Sequence, residues 1–300
     1  MTAAAVTGAA NPFVVLWRFS RPHTIIGTAL SIAGLYVIAA SEGPAPGVGD
    51  LVATLIAGFA VNIAIVGVNQ ITDVEIDRVN KPFLPIAAGN LTLGGAKLIV
   101  MVCCVLPLAM ALTQGWVETV AVAAGLAVGA VYSLPPFRLK RFPVAASLCI
   151  SGVRSVVVNL GVYWHFAGGI DPVVWALCLF VLPFSLAIAI LKDVPDIEGD
   201  RRFAIRTFTV RLGPEPVFRL GMAALVTAYS GMILIAPVVL RDSVNPLVLA
   251  GGHAAALALL LWWARTANPR YHTEFTRFYM RVWALFFLEY IIVPVACLAT

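Results

Sequence analysis

Charge is what this 300-residue sequence has least of. Asp, Glu, Lys and Arg together make up 12%, about half the share of a typical soluble chain. Apolar residues fill 61% and the mean hydropathy is +0.94. A water-soluble fold of this size has too little interior to hide that much apolar surface, so the composition reads as an all-α polytopic membrane protein. It excludes a secreted disulfide scaffold, a disordered tail protein and a nucleic-acid binder. Cysteine is scarce too: Cys103, Cys104, Cys149, Cys178 and Cys297 are odd in number, lie in apolar stretches and form no C-x-x-C or Cys/His cluster, which reads as reduced packing residues. No basic residue precedes Pro12, and the first apolar run begins only after Arg18 and Arg21, so no secretory leader is expected. Residues 1–12 are expected to be a disordered tail on one membrane domain, 1–300.

Long apolar runs, cut by Gly, Pro and charge, give nine spans at about 22–40, 51–72, 96–113, 117–134, 144–167, 172–191, 216–239, 245–264 and 279–298. Charge placement tests that count. The N-terminal segment and the even-numbered loops, with the span edges, hold 18 of the 20 basic residues. Arg241 alone is on the opposite side and Arg154 lies within the fifth span. One span more or fewer in the first half would destroy this split, and positive charge accumulates on the cytoplasmic side. The expected topology has a cytoplasmic N-terminus and a C-terminus on the opposite side. The net charge of +5 therefore reports orientation, not nucleic acid. The longest polar loops, 73–95 and 192–215, fall on the cytoplasmic side, so a functional mouth is expected there.

Two acidic motifs open those loops. Asn69, Asp73 and Asp77 are spaced i, i+4, i+8 at the end of the second span, which on a continuous helix lines one face over roughly 12 Å. Asp193, Asp196 and Asp200 follow the sixth span, with Pro195 and Gly199 marking a kinked or unwound helix end. The motifs are offset by 123 residues (73 to 196, 77 to 200), a weak sign of an internal duplication of a four-helix unit. So many carboxylates in one partly desolvated mouth repel unless protons or cations neutralise them. All-oxygen donors without histidine favour Mg2+ over zinc or copper, and Mg2+ commonly completes its shell with water and phosphate. Lys81, Arg138, Lys140, Lys192, Arg201 and Arg202 flank the motifs. Cations converging on a metal-binding mouth point to a phosphorylated or diphosphate ligand. A single D-x-x-x-D at a span end would read as a solvated boundary. Two on one side favour a site.

An ion-coupled transporter also explains nine spans and buried acids, but it is expected to place them near the bilayer midplane. A structural scaffold is the third reading.

With these residues in view, the sequence resembles the UbiA-type intramembrane aromatic prenyltransferases. The motifs are N-x-x-x-D-x-x-x-D at Asn69–Asp77, D-x-x-x-D at Asp196–Asp200, and the run Tyr132–Arg141. The likeness runs from about residue 13 onward. Within the family, the stretches Trp17–Thr28, Asn69–Gly89 and Lys192–Phe203 are similar to homogentisate phytyl- and solanesyltransferases. Ala204 stands where many of those relatives carry Gly. The resemblance implies nine helices around a central cavity, Mg2+ dependence, a prenyl diphosphate donor and an aromatic acceptor. Homogentisate is the leading acceptor, losing its carboxyl as CO2. Hydroxybenzoate, dihydroxynaphthoate, a chlorophyllide and a glyceryl phosphate remain alternatives.

On that reading two Mg2+ ions are expected, one held by Asn69, Asp73 and Asp77 and the other by Asp196 and Asp200, with Lys81, Arg138 and Lys140 completing the neutralisation of the diphosphate. Lys192 and Asp193 are included among the substrate-binding residues. For the acceptor carboxylate, the candidates are Arg21, His23 and Arg154; an intramembrane arginine is a functional candidate by default. Pairing of Arg154 with Glu289 is the competing reading, and Asn159 lies nearby on the fifth span. Tyr132 is a candidate to face the allylic cation or else an interfacial aromatic. His165 and His253 read as packing or interfacial residues, and Trp262, Trp263 and Trp283 as aromatic-belt anchors. The basic run Arg265–Arg281 reads as a solvated or headgroup-facing surface.

Overall fold

In a bilayer each backbone N–H and C=O needs an internal partner, so an apolar protein of this length folds as helices. The computed structural model describes residues 11–300, which contain no strand. Among the described residues, nine helices are long and apolar enough to cross a membrane. We number them α1 (Pro22–Glu42), α2 (Val48–Thr72), α3 (Leu93–Gln114), α4 (Trp116–Ser133), α5 (Pro143–Ala167), α6 (Pro172–Leu191), α7 (Pro214–Val239), α8 (Pro246–Ala264) and α9 (His272–Leu298).

Local signals set their ends. Proline occupies the first turn of α1, α5, α6, α7 and α8, where its missing N–H costs nothing. Thr92, Asp171 and Asn245 cap α3, α6 and α8 by accepting backbone N–H bonds of 3.1, 2.7 and 3.1 Å. Gly115, at φ +114, turns α3 into α4 in a single residue, a conformation that glycine adopts without a Cβ clash.

Residues 1–10 of the expected tail lie outside the described residues. Asn11 and Pro12 do not belong to a tail: Asn11 Oδ1 accepts from Phe13 N at 2.9 Å and a short helix runs Pro12–Phe19. The capping asparagine followed by proline is a start signal that the composition of the segment conceals.

The helices close a ring. α1 packs on α2, α2 on α4, α4 on α5, α5 on α6, α6 on α7, α7 on α8, α8 on α9 and α9 back on α1, with α3 outside against α2 and α4. α6 and α9 carry most of the buried core, including Phe180, Phe184, Phe278, Val282 and Phe286. α9 starts two turns earlier than hydropathy indicates, because Arg277 and Arg281 interrupt the apolar run without interrupting the helix; Arg281 lies over the Trp263 ring at 5.4 Å.

The buried polar groups correct three expectations. Glu289 does not pair with Arg154. It bonds His253 Nε2 at 2.9 Å, both fully buried between α8 and α9, while His253 Nδ1 contacts Leu249 O at 2.7 Å. His253 is thus one half of an intramembrane pair, not plain packing; the partners lie 36 residues apart in sequence, out of reach of any local pattern. Trp283 is no belt anchor either: it is 2% exposed, inside the ring between His23 and Arg154.

Close packing of α1 on α9 depends on small residues, as expected where lipid supplies no hydrophobic drive. A Cβ on Gly34 would come within 2.9 Å of Tyr290 O and 3.2 Å of its Cβ. Gly34→Ala is therefore expected to lower stability by about 1–3 kcal/mol through overpacking, read as a drop in unfolding temperature of the detergent-solubilised protein. An unchanged temperature would reject the tight α1–α9 contact.

Candidate active site

The second span does not run through its motif. α2 ends at Thr72, Asp73 breaks the helix at φ −120 and ψ 19, and a short helix, Val74–Asn80, restarts. The expected continuous face from Asn69 to Asp77 is thus a corner. The sixth span behaves alike: α6 ends at Leu191, and Asp196 caps a short helix, Ile197–Arg202. Both breaks lie at the same end of the ring, and the two short helices pack on each other.

Three contacts join them. Lys81 forms an ion pair with Asp196. Asn80 Oδ1 accepts from Gly199 N at 3.0 Å, and Asn80 Nδ2 donates to Asp200 Oδ1 at 3.4 Å. Only glycine permits this approach, since a Cβ on Gly199 would lie 2.1 Å from Asn80 Oδ1. Sequence reasoning read Gly199 only as the mark of a kinked helix end and had no role for Asn80, because the spacing of acids says nothing about what ties two loops together.

Each carboxylate has a distinct partner set. Asp73 accepts from Lys140 Nζ at 2.7 Å, Arg138 at 3.2 Å and Asn69 Nδ2 at 3.1 Å. Lys140 also donates to Thr72 Oγ1 at 2.7 Å. Asn69 Oδ1 accepts from Arg21 at 3.3 Å. Lys192 pairs with Asp193 at 2.9 Å. Asp77 and Asp200 have no ion-pair partner among the described residues; Asp77 Oδ2 is buried with no hydrogen bond. Burial pushes the Asp77 pKa up to about 6, against the lowering effect of Arg21 and Lys81. Burial, with Asp193 and Asp196 beside it, pushes Asp200 up to about 7.

The donors fit Mg2+. They are hard oxygens, one of them a buried carboxylate oxygen without a partner. Among the described residues no three His, Cys, Asp or Glu side chains form a ready-made cage, and Mg2+ takes few protein carboxylates and completes its shell with water and phosphate oxygens.

Behind the mouth lies one cavity of about 1680 Å³ within the ring. All the expected site residues line it: Arg21, His23, Asn69, Asp73, Asp77, Lys81, Tyr132, Arg138, Lys140, Arg154, Lys192, Asp193, Asp196 and Asp200. So do Arg206, Arg211, His272 and Tyr279, to which sequence reasoning gave no site role: Arg206 and Arg211 lie in a basic loop, His272 lies on the unrecognised first turns of α9, and Tyr279 stands at the edge of the expected ninth span. Deeper in, Arg154 projects from a wide π-helical turn, Val153–Val158, in α5. Its guanidinium lies 4.5 Å over the Trp283 ring, and one terminal nitrogen has no partner. His23 meets the same ring edge-on at 4.9 Å.

Fold and site define a membrane-embedded enzyme with a cation-rich acidic mouth over an apolar chamber. The sequence model of the UbiA prenyltransferase family matches residues 27–286, and the protein belongs to that family. It is similar to the homogentisate phytyltransferase of Synechocystis sp., at 43% identity covering 93% of this chain and 94% of that protein. It is also similar to the chloroplastic homogentisate solanesyltransferase of Arabidopsis thaliana, at 39% identity covering 93% and 75%. Its fold is like that of a UbiA homolog from Archaeoglobus fulgidus bound to DMAPP and Mg2+, with a TM-score of 0.66 at 19% identity, covering 93% of this chain and 99% of that one.

Two outcomes follow from this geometry. The native values of Asp77 and Asp200 lie above the ordinary carboxylate value of about 3.9, so the folded protein holds protons that the unfolded state releases. The resulting stabilisation is complete below about pH 4 and is lost as pH rises through 6–7. The unfolding temperature of chelator-treated protein should fall between about pH 4 and 7 and level off above, and Asp77→Asn/Asp200→Asn should flatten that profile; a slope unchanged by the double substitution rejects the assignment. Gly199→Ala should push the short helices apart and lower kcat/KM at least tenfold in a protein that still folds, and full activity would show that the Asn80 bridge is dispensable.

Proposed function

We propose that this protein transfers a prenyl group from a prenyl diphosphate to homogentisate, with loss of the acceptor carboxyl as CO2, in tocopherol- or plastoquinone-type quinone synthesis. The observation that carries this reading is the junction of the two acidic motifs by Lys81 and Asn80 at the mouth of an apolar chamber. The identities to homogentisate prenyltransferases support the acceptor.

Asn69, Asp73 and Asp77 would hold one Mg2+, and Asp196 and Asp200 a second. When bound, the metal neutralises charge that grows on the departing diphosphate. The protein's own cations work alongside it. Lys81, Lys140 and Arg138 already sit on Asp196 and Asp73, fixed before reaction, and fixed charge costs no reorganisation as the bond ionises. Breaking the C1–O bond leaves its electron pair on the diphosphate. The allylic carbon takes its new bond from a carbon of the acceptor ring, which gives up its proton; the acetate arm of the acceptor loses its carboxyl as CO2, and the methylene left behind takes a proton to become a methyl group. Tyr132 lines the chamber just below the mouth and offers a π face towards the developing cation. The apolar wall keeps water from the cation.

Arg154 is the acceptor anchor in this reading. Its unpartnered nitrogen belongs to a residue on the chamber wall, and Trp283 holds the guanidinium in place. Arginine matches a carboxylate in two-point geometry. His23 stands beside it, and Arg21 supports the metal side through Asn69. The mouth, Lys192 and Asp193 included, faces the cytoplasm and the C-terminus the other side, following the basic-residue asymmetry.

The deciding assay uses the full-length protein in lipid nanodiscs with labelled homogentisate and a prenyl diphosphate, product being read by mass. Product is expected with Mg2+ and not with chelator, and Asp73→Ala/Asp77→Ala should abolish turnover while the protein stays folded. Arg154→Lys should raise KM for homogentisate about tenfold and leave KM for the donor alone. Turnover by the double aspartate variant rejects the metal assignment; an unchanged acceptor KM rejects Arg154 as anchor. Saturable uptake without product would favour a transporter.

A further inference from the structure

The chamber does not end in hydrocarbon. From Tyr132, its α4 wall descends through Gly129, Gly125 and Val122 to Glu118. Glu118 lies in the first turn of α4, at the end remote from the aspartates, and is 3% exposed; its Oε2 has no hydrogen-bond partner. On α2, Thr54 is 1% exposed and also on the chamber wall, bonded to Gln114 Oε1 at 3.4 Å. The Gln114 amide nitrogen is buried and unpartnered as well. The mouth chemistry uses none of these groups. Glu118 and Thr54 make a polar floor at the end of an α4 wall that is otherwise glycine and aliphatic from Val122 to Gly129.

We propose that Glu118, with Thr54, is the stop of the donor-tail channel and limits the prenyl group to about four isoprene units. The proposal rests on the prenyl-diphosphate reading of the mouth. From Ser133 to Glu118 the helix rises roughly 22 Å at about 1.5 Å per residue. An extended isoprene unit, with four carbon–carbon bonds of about 1.5 Å along its length, advances roughly 5 Å, so four units reach the floor. Each unit up to that point adds apolar burial. A fifth presses methyl groups, which offer no hydrogen bond, onto a buried carboxyl and hydroxyl, and polar groups sealed off by hydrocarbon stay unsatisfied. The floor therefore rejects chemically as well as sterically.

The test measures binding of non-hydrolysable prenyl thiolodiphosphates with two, four and nine units to the full-length protein in nanodiscs with Mg2+. Affinity is expected to rise from two units to four and to fall at least tenfold at nine. Glu118→Leu should raise the nine-to-four affinity ratio at least tenfold. Gly125→Leu should move the optimum to about two units, because a Cβ there already reaches Val61 Cγ1 at 3.4 Å and the position is about 12 Å from Ser133 along the helix. An unchanged ratio in Glu118→Leu that still binds the two-unit analogue overturns the proposal. Should Glu118→Leu fail to fold, Thr54→Val and Gly125→Leu decide, and unchanged length profiles in both overturn it. No acceptor enters this assay, so a failure with homogentisate leaves the outcome legible; wild-type protein that binds no analogue rejects the donor reading and the floor together.

Discussion

The structure depends on how five carboxylates are kept together at one end of a helix ring. Like charges this close repel, more strongly as water is excluded. The protein offsets part of this with its own cations: Lys140 and Arg138 on Asp73, Lys81 on Asp196, and Lys192 on Asp193. Asp77 and Asp200 are left over, one from each motif, both buried and both with raised pKa values. They are the two positions at which an added cation relieves the most electrostatic cost. A site neutralised throughout by lysine would have no affinity for metal, and one with no lysine would not assemble. The distribution seen here lies between these limits.

That balance also explains why the junction is built from short helices. A continuous α2 would carry Asp77 away along the helix axis, at about 1.5 Å per residue. The break at Asp73 returns the backbone so that Asn80 and Lys81 meet the partner motif. Strained backbone gathers here: Arg21, Arg138 and Ala204 all have φ between 41 and 54, a region that costs L residues about 1–2 kcal/mol. Two of the three present a guanidinium to the motif-one residues. Ala204 takes a conformation that glycine adopts freely, so backbone strain is held in the loop after Asp200.

Nine spans follow from apolar length, and the acidic motifs follow from spacing at span ends, so both are legible in the sequence as local properties. The bridging role of Asn80, the closeness required of Gly199, and the burial of Trp283 are not local. Each depends on which distant residue arrives opposite. The start of α9 escapes for a different reason: hydropathy marks membrane thickness, whereas the helix continues past Arg277 into the mouth, where His272 joins the lining.

The fate of two charged residues inside the ring shows how function separates from structure in such a protein. Glu289 and Arg154 are both within spans, and pairing them would have satisfied both. Instead Glu289 is taken by His253, sealed between α8 and α9 away from the chamber. Arg154 is left on the chamber wall, held by an aromatic face that orients a guanidinium without occupying its hydrogen-bond donors. An arginine spent on Glu289 would stabilise the ring and be lost to any ligand. The wide turn at Val153–Val158, of a kind that recurs at functional sites, is the backbone counterpart of that choice: it gives up regular hydrogen bonding to carry a donor into the cavity.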